Sequence, residues 1–348
     1  MRDQMFEQFL YHFYDVVGEG GGVVRLYNQS PGEVKNDLRV IRLCLSKDYN
    51  IFHSLPDEKK KLTDIGLFYL MQVRFYSQSY ERVGDAFNRL PKEQQEDPIF
   101  ARDALQRGLC IYPFLCDELK QDEELSLLAV KKYPCILKVI HANCTDDEWF
   151  LLRVVLANPK AIAFISKDWL SNNAFLFKCL SVSPQCLEYM PHNVKDDIEL
   201  VQVAVQAKGE VLQFAGDALK NNESIVRAAI KQNPKAIRYA GEKLKKDRSI
   251  VLAAVERSGC VLDTVNAEHK DDEDIVRAAV SHDPNAIEYA SERLRDTKEI
   301  VALAVEQRGS LMHYASERIK DDEAFFLSKV KCKGLAFDCL TDRLKNSF

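Results

Sequence analysis

The sequence predicts an all-α fold, an α-solenoid in which about twelve 25-residue helix-turn-helix repeats stack into a superhelix. Three observations carry that reading. Asp122, Asp147, Asn172, Asp197, Asn222, Asp247, Asp272, Thr297 and Asp322 stand 25 residues apart without an insertion. Twelve residues after each comes Pro134, Pro159, Pro184, Gly209, Pro234, Gly259, Pro284, Gly309 or Gly334. Between cap and turn, apolar pairs such as Ile225 with Val226 and Ala229 with Ile230 recur one helical turn apart.

Each signal has a physical meaning. Asp, Asn and Thr side chains accept hydrogen bonds from the free amides that open a helix, so the spaced residues are N-caps. Pro and Gly twelve residues on end one helix and open the next. Together they define a first helix of about ten residues. Ile237, Ala240 and Leu244, recurring as Ile287, Ala290 and Leu294 with Tyr239, Tyr289 and Tyr314 beside them, predict an equally short second helix. Helices this short are marginal alone, so each unit must bury its stripe against its neighbours. Alanines on the inner stripe let the helices approach closely.

Upstream the register loosens. Residues 97–121 depart by one residue from the strict spacing, and residues 35–96 hold two degenerate units, Leu38 to Leu62 and Asp64 to Lys92. Their expected stripes are Val40, Ile41, Cys44 and Leu45, then Leu67, Phe68, Met71 and Gln72, the last a mismatch. Residues 1–34 fit no repeat: Met5, Phe6, Phe9, Leu10, Phe13 and Val17 make an aromatic-rich helical face before the run Gly18 to Gly22. The expectation is a terminal cap, against a partner-binding or membrane-surface helix. The chain thus divides at 34/35 and 96/97, with regular repeats over 97–348.

Composition agrees with a folded helical chain, at 46% hydrophobic and 29% charged residues. A net charge of -5 supplies no global attraction to nucleic acid or anionic membrane. No apolar run reaches a membrane-spanning length, and residues 1–20 carry charges where a secretory leader is apolar. Ten cysteines without a CxxC pair point to reduced thiols and a cytoplasmic, reducing compartment.

The segments DEDIVRAAVSHDPNAIEYASERLRD (272–296) and NESIVRAAIKQNPKAIRYAGEKLKK (222–246) resemble the repeat family known as domain of unknown function 4116, over roughly residues 97–348. The resemblance implies a repeat protein of the kind found in amoeba-associated intracellular bacteria such as Legionella and in some protists and large viruses. In the bacteria such repeats often occur in candidate secreted effectors, so it implies a host-protein partner and translocation into host cytosol. The family carries no established activity and supplies no catalytic residues. This sequence departs from the pattern at His269, which stands where Leu244 and Leu294 stand, at Thr264 and Cys339 in the aromatic position, and at Lys329 in place of the small Ala279.

Positions that vary between repeats are where a repeat protein recognises partners. One such row is Glu188, Gln213, Arg238, Asp263, Glu288, His313 and Asp338, expected to form a surface for a protein partner. Residues 220–248 carry nine basic against three acidic residues, net +6, with Arg227, Lys231, Lys235 and Arg238 as a candidate anion-binding patch. No stacking platform accompanies it, which disfavours single-stranded nucleic acid. The ladder Lys195, Lys220, Lys245, Lys270, Arg295, Lys320 and Lys345 reads as helix-end compensation, with Asp217, Glu242, Glu292, Glu317 and Asp342 three residues earlier as partners.

His141, Cys144 and Asp146 form the nearest approach to a nucleophilic set. Cys144 falls at a buried leucine position, while Cys179 and Cys186 take small inner positions, so packing accounts for these thiols; Cys135 and Cys260 read as more exposed. Histidines and cysteines show no zinc spacing, and Gly18 to Gly22 lacks the Lys and Ser or Thr of a phosphate-binding loop, so neither metal nor cofactor is expected. The expected function is a non-catalytic protein-interaction scaffold. The alternatives are a cysteine-dependent transferase or hydrolase in the irregular N-terminal part, and a phosphoinositide or nucleic-acid binding module using residues 220–248. Oligomeric state is not legible.

Overall fold

The computed structural model describes residues 2–17, 21–140, 142–329 and 343, which are helices and connecting turns with no strand among them. The all-α repeat fold is as predicted. The chain forms two compact units, Met1–Lys167 and Asp168–Phe348, and both boundaries expected from the sequence fall inside the first.

The second unit shows the repeat most plainly. Asn222 accepts from the amides of Ser224 at 3.0 Å and Ile225 at 3.3 Å, and the helix Glu223–Gln232 follows. Asn172, Asp197, Asp247, Asp272 and Asp322 cap their helices in the same way. Thr297 does not: its hydroxyl donates backward to the Arg293 carbonyl at 3.1 Å. Ile225, Val226, Ala229 and Ile230 are buried, each large side chain contributing about 1.5–3 kcal/mol of burial to a helix too short to stand alone.

The second helix of each repeat is not one helix. Pro234–Tyr239 is a 3-10 helix, Ala240 is extended at φ -64° and ψ 158°, and Glu242–Lys245 is a single α-helical turn. Ile237 and Leu244 are buried as the stripe requires, so the apolar spacing is correct although the continuous helix is not. The reason is a bond between repeats. With Ala240 extended, the Gly241 amide donates to the Lys220 carbonyl of the preceding repeat at 2.7 Å. The same bond joins Gly216 to Lys195, Ser291 to Lys270 and Ser316 to Arg295, at 2.9, 2.8 and 3.1 Å. A continuous α-helix would commit that amide to its own i-4 carbonyl. First helices such as Ile198–Ala207, Glu223–Gln232 and Glu273–His282 pack in one layer, and segments such as Gly209–Phe214, Pro234–Tyr239 and Pro284–Tyr289 in another.

The first unit extends the same plan further than its sequence suggests. Asp37, Asp97 and Asp122 cap Leu38–Lys47, Pro98–Gln106 and Glu123–Lys132. Asp97 therefore stands in strict 25-residue register with Asp122, and the one-residue departure is confined to the turn at Gly108, whose φ is +74°. The unit following Leu62 carries a ten-residue insertion. Arg74 stands where Pro or Gly would end the first helix, so Thr63–Ser77 runs on until Gln78 turns left-handed at φ 50°, and Tyr80–Asn88 replaces the 3-10 segment. Its stripe is shifted from the expectation: Ile65, Tyr69, Leu70 and Val73 join Leu67 inside, Phe68 and Gln72 are half-buried, and Met71 is exposed.

Residues 2–35 also fit, contrary to expectation. Arg2–Val16, Gly22–Gln29 and Gly32–Lys35 repeat the enlarged order of Thr63–Ser77, Tyr80–Asn88 and Lys92–Gln95. Tyr27 and Tyr112 occupy one repeat position, and each donates its hydroxyl to the carbonyl eight residues on, Lys35 at 2.9 Å and Lys120 at 3.0 Å. The aromatic face of the first helix buries Phe9 and Phe13. Gly18 to Gly20 lie outside the described residues.

Candidate functional site

The fifth residue of each 3-10 segment points away from the core, because the third and fourth are the buried ones. Glu188, Gln213, Arg238, Asp263, Glu288 and His313 are all exposed, the first three on segments that pack side by side and the last three on another such set within the second unit. Asp338 lies outside the described residues. The row expected from sequence variation is thus exposed over its first six members, in two runs, Glu188 to Arg238 and Asp263 to His313.

A second row runs beside it. The sixth residue is Tyr189, Phe214, Tyr239, Tyr289 or Tyr314, half-buried or, for Tyr289, 37% exposed. An aromatic next to an apolar stripe at helical spacing reads as core, which is why this row is not apparent as a surface in the sequence; its tyrosine hydroxyls were the available signal. The rows touch across repeats. Burial first, and the Glu288 carboxylate next, raise the pKa of Tyr314, and in the first unit Lys138 Nζ lies 5.4 Å from the centroid of Phe164, which holds the same sixth position. The fifth residue of one repeat therefore meets the sixth of the next.

The basic patch does not assemble as a single site. Arg227 and Lys231 lie on the outer face of Glu223–Gln232, while Lys235 and Arg238 lie on the outer face of Pro234–Tyr239. These elements turn their buried faces, Ile225 and Ile230 against Ala236 and Ile237, toward a shared core, so the two pairs face opposite ways. Arg227 is further occupied by Glu223 at 2.8 Å and Ser249 at 3.1 Å.

The basic ladder is used locally. Lys220, Lys245 and Lys320 pair with Asp217, Glu242 and Glu317 at 3.6, 3.0 and 3.0 Å. Lys195 and Lys270 instead donate to the carbonyls of Glu188 and Asp263 at 2.7 and 3.1 Å, closing the ends of 3-10 segments. Arg295 does not pair with Glu292, and its Nε is buried without a partner. Lys345 and Asp342 lie outside the described residues.

A different set of charges ties repeats together. Asp271 accepts from the Ser291 hydroxyl and from Arg293 Nε at 3.0 Å; Asp296 accepts from Ser316 and from Arg318 Nε at 2.9 Å. The hydroxyl bonds first, and the guanidinium bonds next, hold both carboxyls below the ordinary aspartate range. A depressed folded pKa adds stability that is present above the unfolded value and lost as pH falls through the folded one. Melting temperature should therefore drop as pH falls below about 4, and less steeply in Asp271→Asn/Asp296→Asn than in the wild type. Parallel pH profiles by circular dichroism would refute a contribution from these clamps.

Burial works against the thiolate at Cys44, Cys110, Cys144 and Cys186. Burial pushes Cys44 up to about 12 and Cys110 up to about 11. Cys144 is half-buried rather than buried, and burial followed by the carboxylates of Glu123 and Asp147 raises its pKa. Thiols raised in this way stay protonated near neutrality and are poor nucleophiles. His141, its expected partner, lies outside the described residues. Cys179 and Cys186 are buried, Cys135 is exposed, and Cys260 is half-buried with Sγ 3.0 Å from the Ser258 hydroxyl. Among the described residues no group of three or more His, Cys, Asp and Glu is arranged to hold a metal, and no helix is long and apolar enough to cross a membrane.

Comparison with known proteins locates the repeat but no activity. No curated protein and no solved structure matches the chain. A family model described as a domain of unknown function, DUF4116, matches residues 197–245, 222–270 and 272–320. Each match starts on a capping residue, Asp197, Asn222 or Asp272, and ends on the last residue of a one-turn helix, so the family's frame is two of the structural repeats described above. Residues 197–245, 222–270 and 272–320 are thus DUF4116 repeats.

Proposed function

We propose that this chain is a non-catalytic scaffold that binds a protein partner along the edge formed by the 3-10 segments. The observation that carries this reading is the pairing of two rows on the 3-10 segments, exposed and variable polar residues from Glu188 to His313 beside half-buried aromatics from Tyr189 to Tyr314. Aromatic side chains set among charges that differ from repeat to repeat are the composition of a protein-recognition surface. Regular positions elsewhere are engaged in capping, clamping and packing. The resemblance to repeats of intracellular bacteria makes a host protein the partner to seek first.

Affinity capture from host-cell lysate tests the proposal. A partner bound through aromatic and mixed-charge contacts should survive high salt, whereas simple phosphate or lipid attraction collapses. Glu288→Lys combined with His313→Glu should release it. Retention of the same partner by that variant would reject this edge as the binding surface.

A further inference from the structure

We infer that a cleft beside Thr264 receives an aromatic side chain from an acidic segment of the partner, a proposal that rests on the edge being a protein-binding surface. The sixth position is aromatic in Phe164, Tyr189, Phe214, Tyr239, Tyr289 and Tyr314, and Thr264 breaks the series. Its hydroxyl folds back onto the Val261 carbonyl at 2.8 Å. Beside Thr264 lies a cleft of about 240 Å³, lined by Ile237, Glu242, Lys245, Lys246, Thr264 and Asn266. A cavity of about 150 Å³ suffices for benzene, so an aromatic ring fits.

The joint is open in its backbone as well. Gly216, Gly241, Ser291 and Ser316 each donate an amide bond to the preceding repeat, but Asn266 makes no such bond to Lys245. A side chain can enter here without breaking an inter-repeat hydrogen bond. The contact awaiting it is also visible. Arg238 occupies the position from which Lys138 meets the Phe164 ring, and among the described residues it makes no ion pair or hydrogen bond. An incoming ring would stand to Arg238 as Phe164 stands to Lys138.

Charge selects the rest of the partner. Glu242 is held by Lys245 at 3.0 Å, which leaves Lys246 without an ion pair among the described residues. The corresponding position is aspartate in Asp196, Asp271, Asp296 and Asp321, so the cation is particular to this joint. With Arg238 and Lys246 the cations at this joint that make no ion pair among the described residues, acidic residues flanking the ring are attracted and basic ones repelled.

The test uses the full chain and a fluorescein-labelled peptide of Glu and Asp around one central Phe. Two twins serve as controls, one with Ala for Phe and one with Lys for the acids. By anisotropy the Phe peptide should bind about tenfold tighter than the Ala twin, and the Lys twin should not bind. Thr264→Tyr, which restores the repeat's own ring and so should fold, should abolish the preference for Phe, and Arg238→Gln should narrow it. Equal binding of the Phe and Ala peptides, absence of binding, or a preference that survives Thr264→Tyr in a folded protein would each overturn the inference. In lysate capture, a partner lost with Glu288→Lys/His313→Glu but kept by Thr264→Tyr would reject the cleft and leave the edge standing. A partner kept by both variants rejects the edge and the cleft together.

Discussion

Ile275→Ala is expected to destabilise the second unit by about 2–5 kcal/mol, the range for emptying a large buried aliphatic site. Ile275 is 0% exposed on Glu273–His282, which packs against Arg248–Val255 on one side and Lys298–Gln307 on the other. The resulting void loosens both joints. In an array whose repeats touch only their neighbours, that loss should also broaden or split the urea transition. Glu273→Ala, which removes only an exposed i,i+4 pair with Arg277, should stay within about 0.5 kcal/mol. Similar midpoints for the two variants would contradict the placement of the core stripe.

The second large effect concerns a residue with no side chain. Gly259→Ala is expected to cost about 1–3 kcal/mol through overpacking. An added Cβ would lie 2.3 Å from the Ala279 carbonyl oxygen of the next repeat and 2.9 Å from Asp283 Cβ. That carbonyl cannot easily retreat, because it already accepts the Asp283 amide at 2.8 Å. Gly209 meets Ala229 O in the same way at 2.4 Å. Pro234→Ala is the control: it keeps a Cβ already accommodated and gives up only unfolded-state stiffness, about 0.4–1 kcal/mol. If urea melts show Gly259→Ala no more harmful than Pro234→Ala, the close approach is not a constraint.

These two positions show how a correct motif can conceal two mechanisms. Pro and Gly at the turn read as equivalent punctuation, since either can end a helix. In the folded repeat they differ. Gly209 and Gly259 are where a neighbouring backbone comes within contact, and their amides are used, Gly209 donating to Gln232 Oε1 at 2.6 Å and Gly259 to His282 Nδ1 at 3.4 Å. Proline could supply neither the space nor the donor.

The candidate site was legible in part for a related reason. Exposure of Glu188 to His313 follows from their place opposite the buried stripe, and that stripe is visible in sequence. The aromatic row was hidden because periodicity does not distinguish a half-buried tyrosine from a core one. The basic patch looked continuous because Arg227, Lys231, Lys235 and Arg238 are close in sequence, yet the turn at Pro234 sends the two pairs to opposite faces. The N-terminal repeat escaped detection because its first helix, Arg2–Val16, is 15 residues long and no 25-residue comb can align it.

The amino-acid sequence alone determined the period, the caps at Asp197, Asn222 and Asp272, and the stripe of Ile225, Val226, Ala229 and Ile230, because capping and amphipathic burial act within a few residues of one helix. Only the tertiary structure decided that the second half of the regular repeats is a 3-10 helix and a single turn, that Gly259 must remain glycine, and that the joint at Asn266 stays open. Those outcomes depend on amides and carbonyls of adjacent repeats competing for the same partners, such as Gly241 with Lys220, and a contact between residues about twenty positions apart leaves no local periodicity to read.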